Sequence, residues 1–156
     1  MDPFIKEIQH INNVEDAINK LNTQTEISQK LSEIINFVIE AHEGQYRKSG
    51  EPYCVHPILV ASITAHFSKD EAIIATALLH DVVEDTEYRV SDIENMFGDK
   101  VAKIVDGLTK LSGDFDSRQA LTLKKMLMTL SEDVRVVLIK IADRLHNMQT
   151  LESMYP

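Results

Sequence analysis

An all-helical single domain is what this sequence predicts, and three observations carry that expectation. Apolar residues recur at three- and four-residue spacing along most of the chain. Five Gly and four Pro in 156 residues are too few for a turn-rich β fold. No stretch alternates polar and apolar residues with the period of two that a half-buried strand requires. The length fits one domain of ~150 residues. Hydrophobic residues make up 44% of the chain, enough for a core of Leu, Ile, Val, Ala and Met without covalent staples.

The elements follow in order. Residues 2–21 read as one or two amphipathic helices: Asp2-Pro3 suits a cap and a first-turn proline, and Asn12-Asn13 interrupts the stripe Ile5, Ile8, Ile11, Val14, Ile18, Leu21. Thr23 to His42 reads as one helix with its stripe on Ile27, Leu31, Ile34, Ile35, Val38 and Ile39, stopped near Gly44. Gly44 to Tyr53, with two Gly and a Pro, is a loop. His56-Pro57 opens the next helix, with His56 at the cap and its ring free to point outward, as a polar cap or else a metal ligand, and Ile58, Leu59, Ala61, Ile63 and Phe67 on the buried face.

Asp70-Glu71 starts a helix through Ala72 to Leu79, its acids matched to the positive end of the dipole. Ser91-Asp92-Ile93-Glu94 has the pattern of a capping box for a short helix ended by Gly98, and Asp99 to Leu111 forms another. Ser112 to Ser117 is a polar loop, and Arg118 to Leu130 is helical with Met126 and Met128 in the core. The last helix begins at Ser131-Glu132-Asp133. It is apolar on most sides through Ala142, which predicts a central buried helix.

Composition narrows the function. A net charge of −9 argues against nucleic-acid or anionic-membrane binding, which needs a basic surface. The single Cys54 excludes an intrachain disulfide and fits a reducing compartment. No run of 18 apolar residues exists, and Met1-Asp2-Pro3-Phe4 lacks the features of a secretion signal. The expected location is the cytoplasm.

The chemistry gathers on Ala77-Leu78-Leu79-His80-Asp81-Val82-Val83-Glu84-Asp85-Thr86. If the helix continues, Glu84 shares a face with His80, and Asp85 with Asp81. An imidazole and three carboxylates at one helix end form either a solvated terminus or a set whose repulsion a divalent cation compensates. Zn, Mn and Fe all suit such ligands. Asp143 follows a buried apolar run and needs a partner, either a neighbouring Arg144 or His146 or a metal. Asp143, Asn147 and Thr150 fall at i, i+4 and i+7, on one face. Arg47 and Lys48 form a basic pair in an acidic chain, a candidate anion or base-stacking site or else a solvated turn.

The order His56, His80-Asp81, Asp143 is the H…HD…D pattern of HD-domain phosphohydrolases. With Gly44-Gln45-Tyr46-Arg47-Lys48-Ser49-Gly50-Glu51-Pro52-Tyr53, His56-Pro57, Gly107-Leu108-Thr109-Lys110-Leu111 and Ile141-Ala142-Asp143-Arg144-Leu145-His146-Asn147-Met148, it closely resembles the hydrolase domain of the Rel/Spo (RelA/SpoT homologue) family, from about Ile35 to Leu151. The resemblance implies an HD-domain helical bundle that binds one Mn²⁺ and removes the 3′-pyrophosphate of ppGpp or pppGpp. By position it implies His56, His80, Asp81 and Asp143 as metal ligands and Glu84 and Asp85 as the acidic pair that handles water. It also implies Arg47, Lys48 and Ser49 at the guanine, and Asn147 and Thr150 along the nucleoside pocket.

The retained His80-Asp81 pair implies a hydrolysis-competent, SpoT-like type. Gln119-Ala120 departs from the family pattern, being followed by Leu121-Thr122 where the family has Glu-Asn. Residues 1–156 are expected to be the N-terminal hydrolase part of a longer bifunctional protein, with further domains as partners. Zn²⁺ or Fe²⁺ in place of Mn²⁺, another nucleotide substrate such as NADPH, and a non-catalytic regulatory module stay open as alternatives.

Overall fold

A computed structural model describes residues 3–112 together with Ile139, Ala142, Asp143, His146 and Asn147. Eight helices run in order among the described residues: α1 (Pro3–Ile8), α2 (Val14–Gln24), α3 (Gln29–Ala41), α4 (Val55–Phe67), α5 (Glu71–Leu79), α6 (Val82–Asp85), α7 (Val90–Phe97) and α8 (Asp99–Ser112). The expected all-α class is what the chain adopts. Extended pairing among the described residues is confined to one isolated antiparallel bridge, Tyr46 to Pro52.

α4 and α5 form the centre. Every residue of α4 from Val55 to Ala65 is buried, as is every residue of α5 from Ile73 to Leu79. A helix that is apolar all round must be enclosed on all sides. α4 packs against α2 and α5; α5 also meets α3 and α8; α7 packs on α8. Ile139 and Ala142 of the last segment are helical and enclosed in the same core, while the rest of its apolar run, expected to form the central helix, lies outside the described residues.

Local chemistry sets the helix starts. Asn13 accepts the Asp16 amide at the head of α2, Ser28 accepts the Leu31 amide at the head of α3, and Asp70 accepts the Ala72 amide at the head of α5. The Ser28 cap explains one correction. The helix expected from Thr23 starts at Gln29 instead, because α2 runs on to Gln24 and Thr25 is extended. α7 begins two residues before the expected start, with its cap at Arg89 rather than Ser91: the Asp92 carboxylate accepts the Arg89 amide at 2.8 Å. Phe67, expected on the buried face of α4, is 56% exposed at the last turn, where the core ends. The segments from Gly113 to Leu130 and the start of the last helix lie outside the described residues.

α5 carries His80 to the site, so its cap has a measurable consequence. Asp70→Ala should destabilise the fold by about 1 kcal/mol, read as a lower urea midpoint with an unchanged slope.

Candidate metal centre

Three separate parts of the chain bring four side chains to one point. His56 comes from the first turn of α4, His80 and Asp81 from the break between α5 and α6, and Asp143 from the last helical segment. One ligand atom from each lies within 4.8 Å of all the others. Asp143 Oδ1 is 2.7 Å from His56 Nε2 and 3.0 Å from His80 Nε2. Asp81 Oδ2 is 3.5 Å and 3.2 Å from the same two nitrogens.

Two positions differ from expectation. His56 does not cap its helix with an outward ring. α4 starts at Val55, two residues before the expected Pro57, and His56 is 2% exposed, drawn in by Asp143 from 87 residues away. The helix does not continue through His80 either. It breaks at His80-Asp81 and restarts as the four-residue α6, although the Asp85 amide still donates to the Asp81 carbonyl at 2.8 Å.

The electrostatics are those of a buried charge cluster. Burial pushes the His80 pKa down, but the Asp81 charge and the Asp143 hydrogen bond outweigh it and raise the pKa to about 9. Burial favours a protonated Asp143, yet its bonds to His56 and His80 hold the carboxyl well below its usual range. Burial lowers the pKa of His56 and of His146.

The donor set fits a divalent cation. Two neutral imidazoles and two carboxylates cancel its charge and supply borderline ligands. A neutral His80 keeps its proton on Nδ1, bonded to the Ala77 carbonyl at 2.6 Å, which leaves Nε2 facing the cluster. His56 is braced in the same manner: its Nδ1 meets Nδ1 of His146, and the two rings stack 4.8 Å apart.

The Gly44–Tyr53 loop folds over the cluster as a tight turn. The Arg47 amide donates to the Glu51 carbonyl and the Tyr53 amide to the Gln45 carbonyl. Gly44 and Gly50 hold the positive φ angles that the turn needs. Arg47 points inward: it donates to Asn147 Oδ1 at 3.0 Å and pairs with Glu51 at 3.5 Å, and its buried Nε–H has no hydrogen-bond partner. Asn147 in turn reaches Asp143 Oδ2 at 3.4 Å, so Arg47 is coupled to the cluster. Lys48 and Ser49 are exposed, with Ser49 bonded to Glu51. Glu84 and Asp85 are both exposed on the short helix α6, and Asp85 is tied to the cluster through Tyr53. Thr150 lies outside the described residues.

Sequence reasoning missed Tyr53 and His42, and weighed His146 only as one alternative partner for Asp143. Tyr53 O–H reaches both Asp81 Oδ2 (2.9 Å) and Asp85 Oδ2 (3.1 Å). His146 braces His56 through their Nδ1 atoms, and the Asp143 charge acts on it as well. The available signal was the spacing of His146, one helical turn beyond Asp143 and on the same face.

An open cleft of about 430 Å³ lies behind Asp85, lined by Glu40, Ala41, Gln45, Asp85, Thr86, Glu87 and Tyr88. Three of its walls are carboxylates, so it repels an anion, while Arg47 and Lys48 offer the opposite field on their side of the cluster.

Residues 35–156 match the HD domain family. The chain is 50% identical over 121 residues to a guanosine-3′,5′-bis(diphosphate) 3′-pyrophosphohydrolase of Haemophilus influenzae, covering 75% of this chain and 18% of that protein. It is 49% identical to the bifunctional (p)ppGpp synthase/hydrolase SpoT of Escherichia coli K12, covering 75% of this chain and 17% of that one. A GTP pyrophosphokinase of Myxococcus xanthus is 47% identical over 122 residues, 74% of this chain and 16% of that one. The chain therefore spans less than a fifth of the length of these relatives. A solved structure described as a metazoan ortholog of SpoT that hydrolyzes ppGpp superposes with a TM-score of 0.67 at 31% identity, covering 81% of this chain and 72% of that one. With the H…HD…D residues converged and most of its length matched, the chain belongs to the HD-domain family and, within it, to the Rel/Spo group.

Proposed function

We propose that this chain hydrolyses the alarmones ppGpp and pppGpp, releasing the 3′-pyrophosphate to give GDP or GTP, with one Mn²⁺ held by His56, His80, Asp81 and Asp143. The convergence of those four ligand atoms within 4.8 Å, from three distant segments, is the observation that carries the reading. Two further facts support it: the names of the relatives, and a basic loop coupled to the cluster through Asn147.

When bound, the cation supplies Lewis acidity, acidifying a water and drawing charge from a phosphoryl oxygen. The chain's own residues do the rest. Asp85, beside Asp81, takes the proton from the attacking water as general base and returns it to the leaving 3′-oxygen; Glu84 is the second acid of that pair. Arg47, with its planar guanidinium, and its neighbours Lys48 and Ser49 meet the guanine, while Asn147 and Thr150 line the nucleoside pocket. In the cell, we take residues 1–156 as the hydrolase part of a longer cytoplasmic protein acting in the stringent response, without direct nucleic-acid or membrane contact. Among the described residues no helix is long and apolar enough to cross a membrane.

Purified chain with Mn²⁺ and ppGpp should release pyrophosphate and yield GDP. Turnover of NADPH alone, or binding without turnover, would replace this reading.

A pH effect follows from His80. Its folded pKa of about 9 lies above the ordinary 6.5, so the stability it adds to the metal-free chain is complete below pH 6.5 and is lost as pH rises through 9. Cation binding needs the neutral ring and so strengthens over the same window. The Mn²⁺-induced rise in melting temperature should therefore grow between pH 6.5 and 8.5; a shift independent of pH would contradict this.

A further inference from the structure

The acidic pair sits on a helix too short to hold itself in place. α6 has four residues, about one turn, and an isolated turn is unstable without outside contacts. Two contacts reach it from the Gly44–Tyr53 loop. Gln45 Nε2 donates to the Asp85 carbonyl at 2.9 Å. Tyr53 O–H lies 3.1 Å from Asp85 Oδ2 and 2.9 Å from Asp81 Oδ2.

Both contacts rest on His42, which is almost fully buried at the end of α3. His42 Nδ1 bonds Gln45 Oε1 at 2.9 Å, and its ring lies 4.9 Å from the Tyr53 ring. The Tyr53 ring is held further by the edge of His56 at 6.0 Å. The Tyr53 O–H carries one proton and so donates to one carboxylate at a time, but it stands within reach of both. Burial, then the charges of Asp81 and Asp85, push its pKa up, so it stays a neutral donor.

We infer that Tyr53 is a positioning residue: with Gln45, and seated on His42, it holds Asp85 at a fixed distance from Asp81. It acts through these carboxylates rather than on substrate. The inference rests on the hydrolase reading for its kinetic consequence, but its structural consequence does not depend on turnover. A carboxylate that takes a proton from water must stand within about 3 Å of it, and a displacement of 1 Å costs on the order of 10²-fold.

The test is Tyr53→Phe, which keeps the ring on His42 and removes only the hydroxyl, with Gln45→Ala as a second variant. Hydrogen exchange of the Val82–Thr86 amides should accelerate about 10-fold in either variant, with or without Mn²⁺, while α5 amides keep their rates. In the Mn²⁺-loaded chain, Tyr53→Phe should lower kcat for ppGpp at least about 10-fold, with KM within about twofold and Mn²⁺ still bound. In an Asp85→Asn background the same change should cost less than about twofold, because the partner it positions is already disabled.

Unchanged exchange across Val82–Thr86 would overturn the inference, as would an equal loss of kcat in both backgrounds. If wild-type chain fails to release pyrophosphate but α6 still loosens in Tyr53→Phe, the hydrolase reading falls and the positioning role stands.

Discussion

Asp81→Ala should lose bound metal and turnover together. Asp81 is 7% exposed, and its Oδ2 stands 3.2 Å from His80 Nε2 and 3.5 Å from His56 Nε2. Removing it leaves two neutral rings and a single carboxylate to compensate a divalent charge in a buried place, where unpaired charge is most costly. Loss of a partner outside the ligand set already costs 10- to 100-fold in metal affinity. Loss of a ligand itself should exceed about 100-fold by the same reasoning. The fold should survive: the core of α4 and α5 is apolar and does not involve this carboxylate. Metal analysis of the purified variant beside its far-ultraviolet circular dichroism checks both halves. A variant that retained one Mn²⁺ per chain would remove Asp81 from the ligand set.

The helical class was legible because it depends on local spacing. Leu31, Ile34, Ile35 and Val38 form the buried stripe of α3 that their periodicity predicts. The enclosed run Val55–Ala65 was less so: its buried residues surround the helix, so a one-sided stripe put Phe67 inside when it lies at the exposed end. Residue types and their order identified the cluster His56, His80, Asp81 and Asp143, but not its geometry. His56 turns inward because Asp143 meets it from 87 positions away, and no local pattern contains that contact. The break at His80-Asp81 carries no Gly or Pro to announce it. Tyr53 looked like one residue of a turn, and only the fold places its hydroxyl between two carboxylates.

Asp85→Asn should keep the metal and lose turnover by about 10²–10⁴-fold, the usual contribution of a general base. Asp85 is not among the four converging ligands, so its amide analogue leaves them intact. Both acids are exposed on the same turn, and Asp85 is the one that the Tyr53 hydroxyl joins to the cluster. Partial burial and then the Asp81 charge raise its pKa above the usual carboxylate value, and the Tyr53 bond offsets part of that rise. A carboxylate with a raised pKa is a stronger base and, once protonated, still gives its proton up to an alkoxide leaving group. Glu84→Gln supplies the contrast: it should cost less than Asp85→Asn, because Asp85 is the carboxylate that the Tyr53 hydroxyl joins to Asp81. Parallel kcat values and metal contents for the two variants decide the matter. Full activity in Asp85→Asn beside a large loss in Glu84→Gln would transfer the proton-handling role to Glu84.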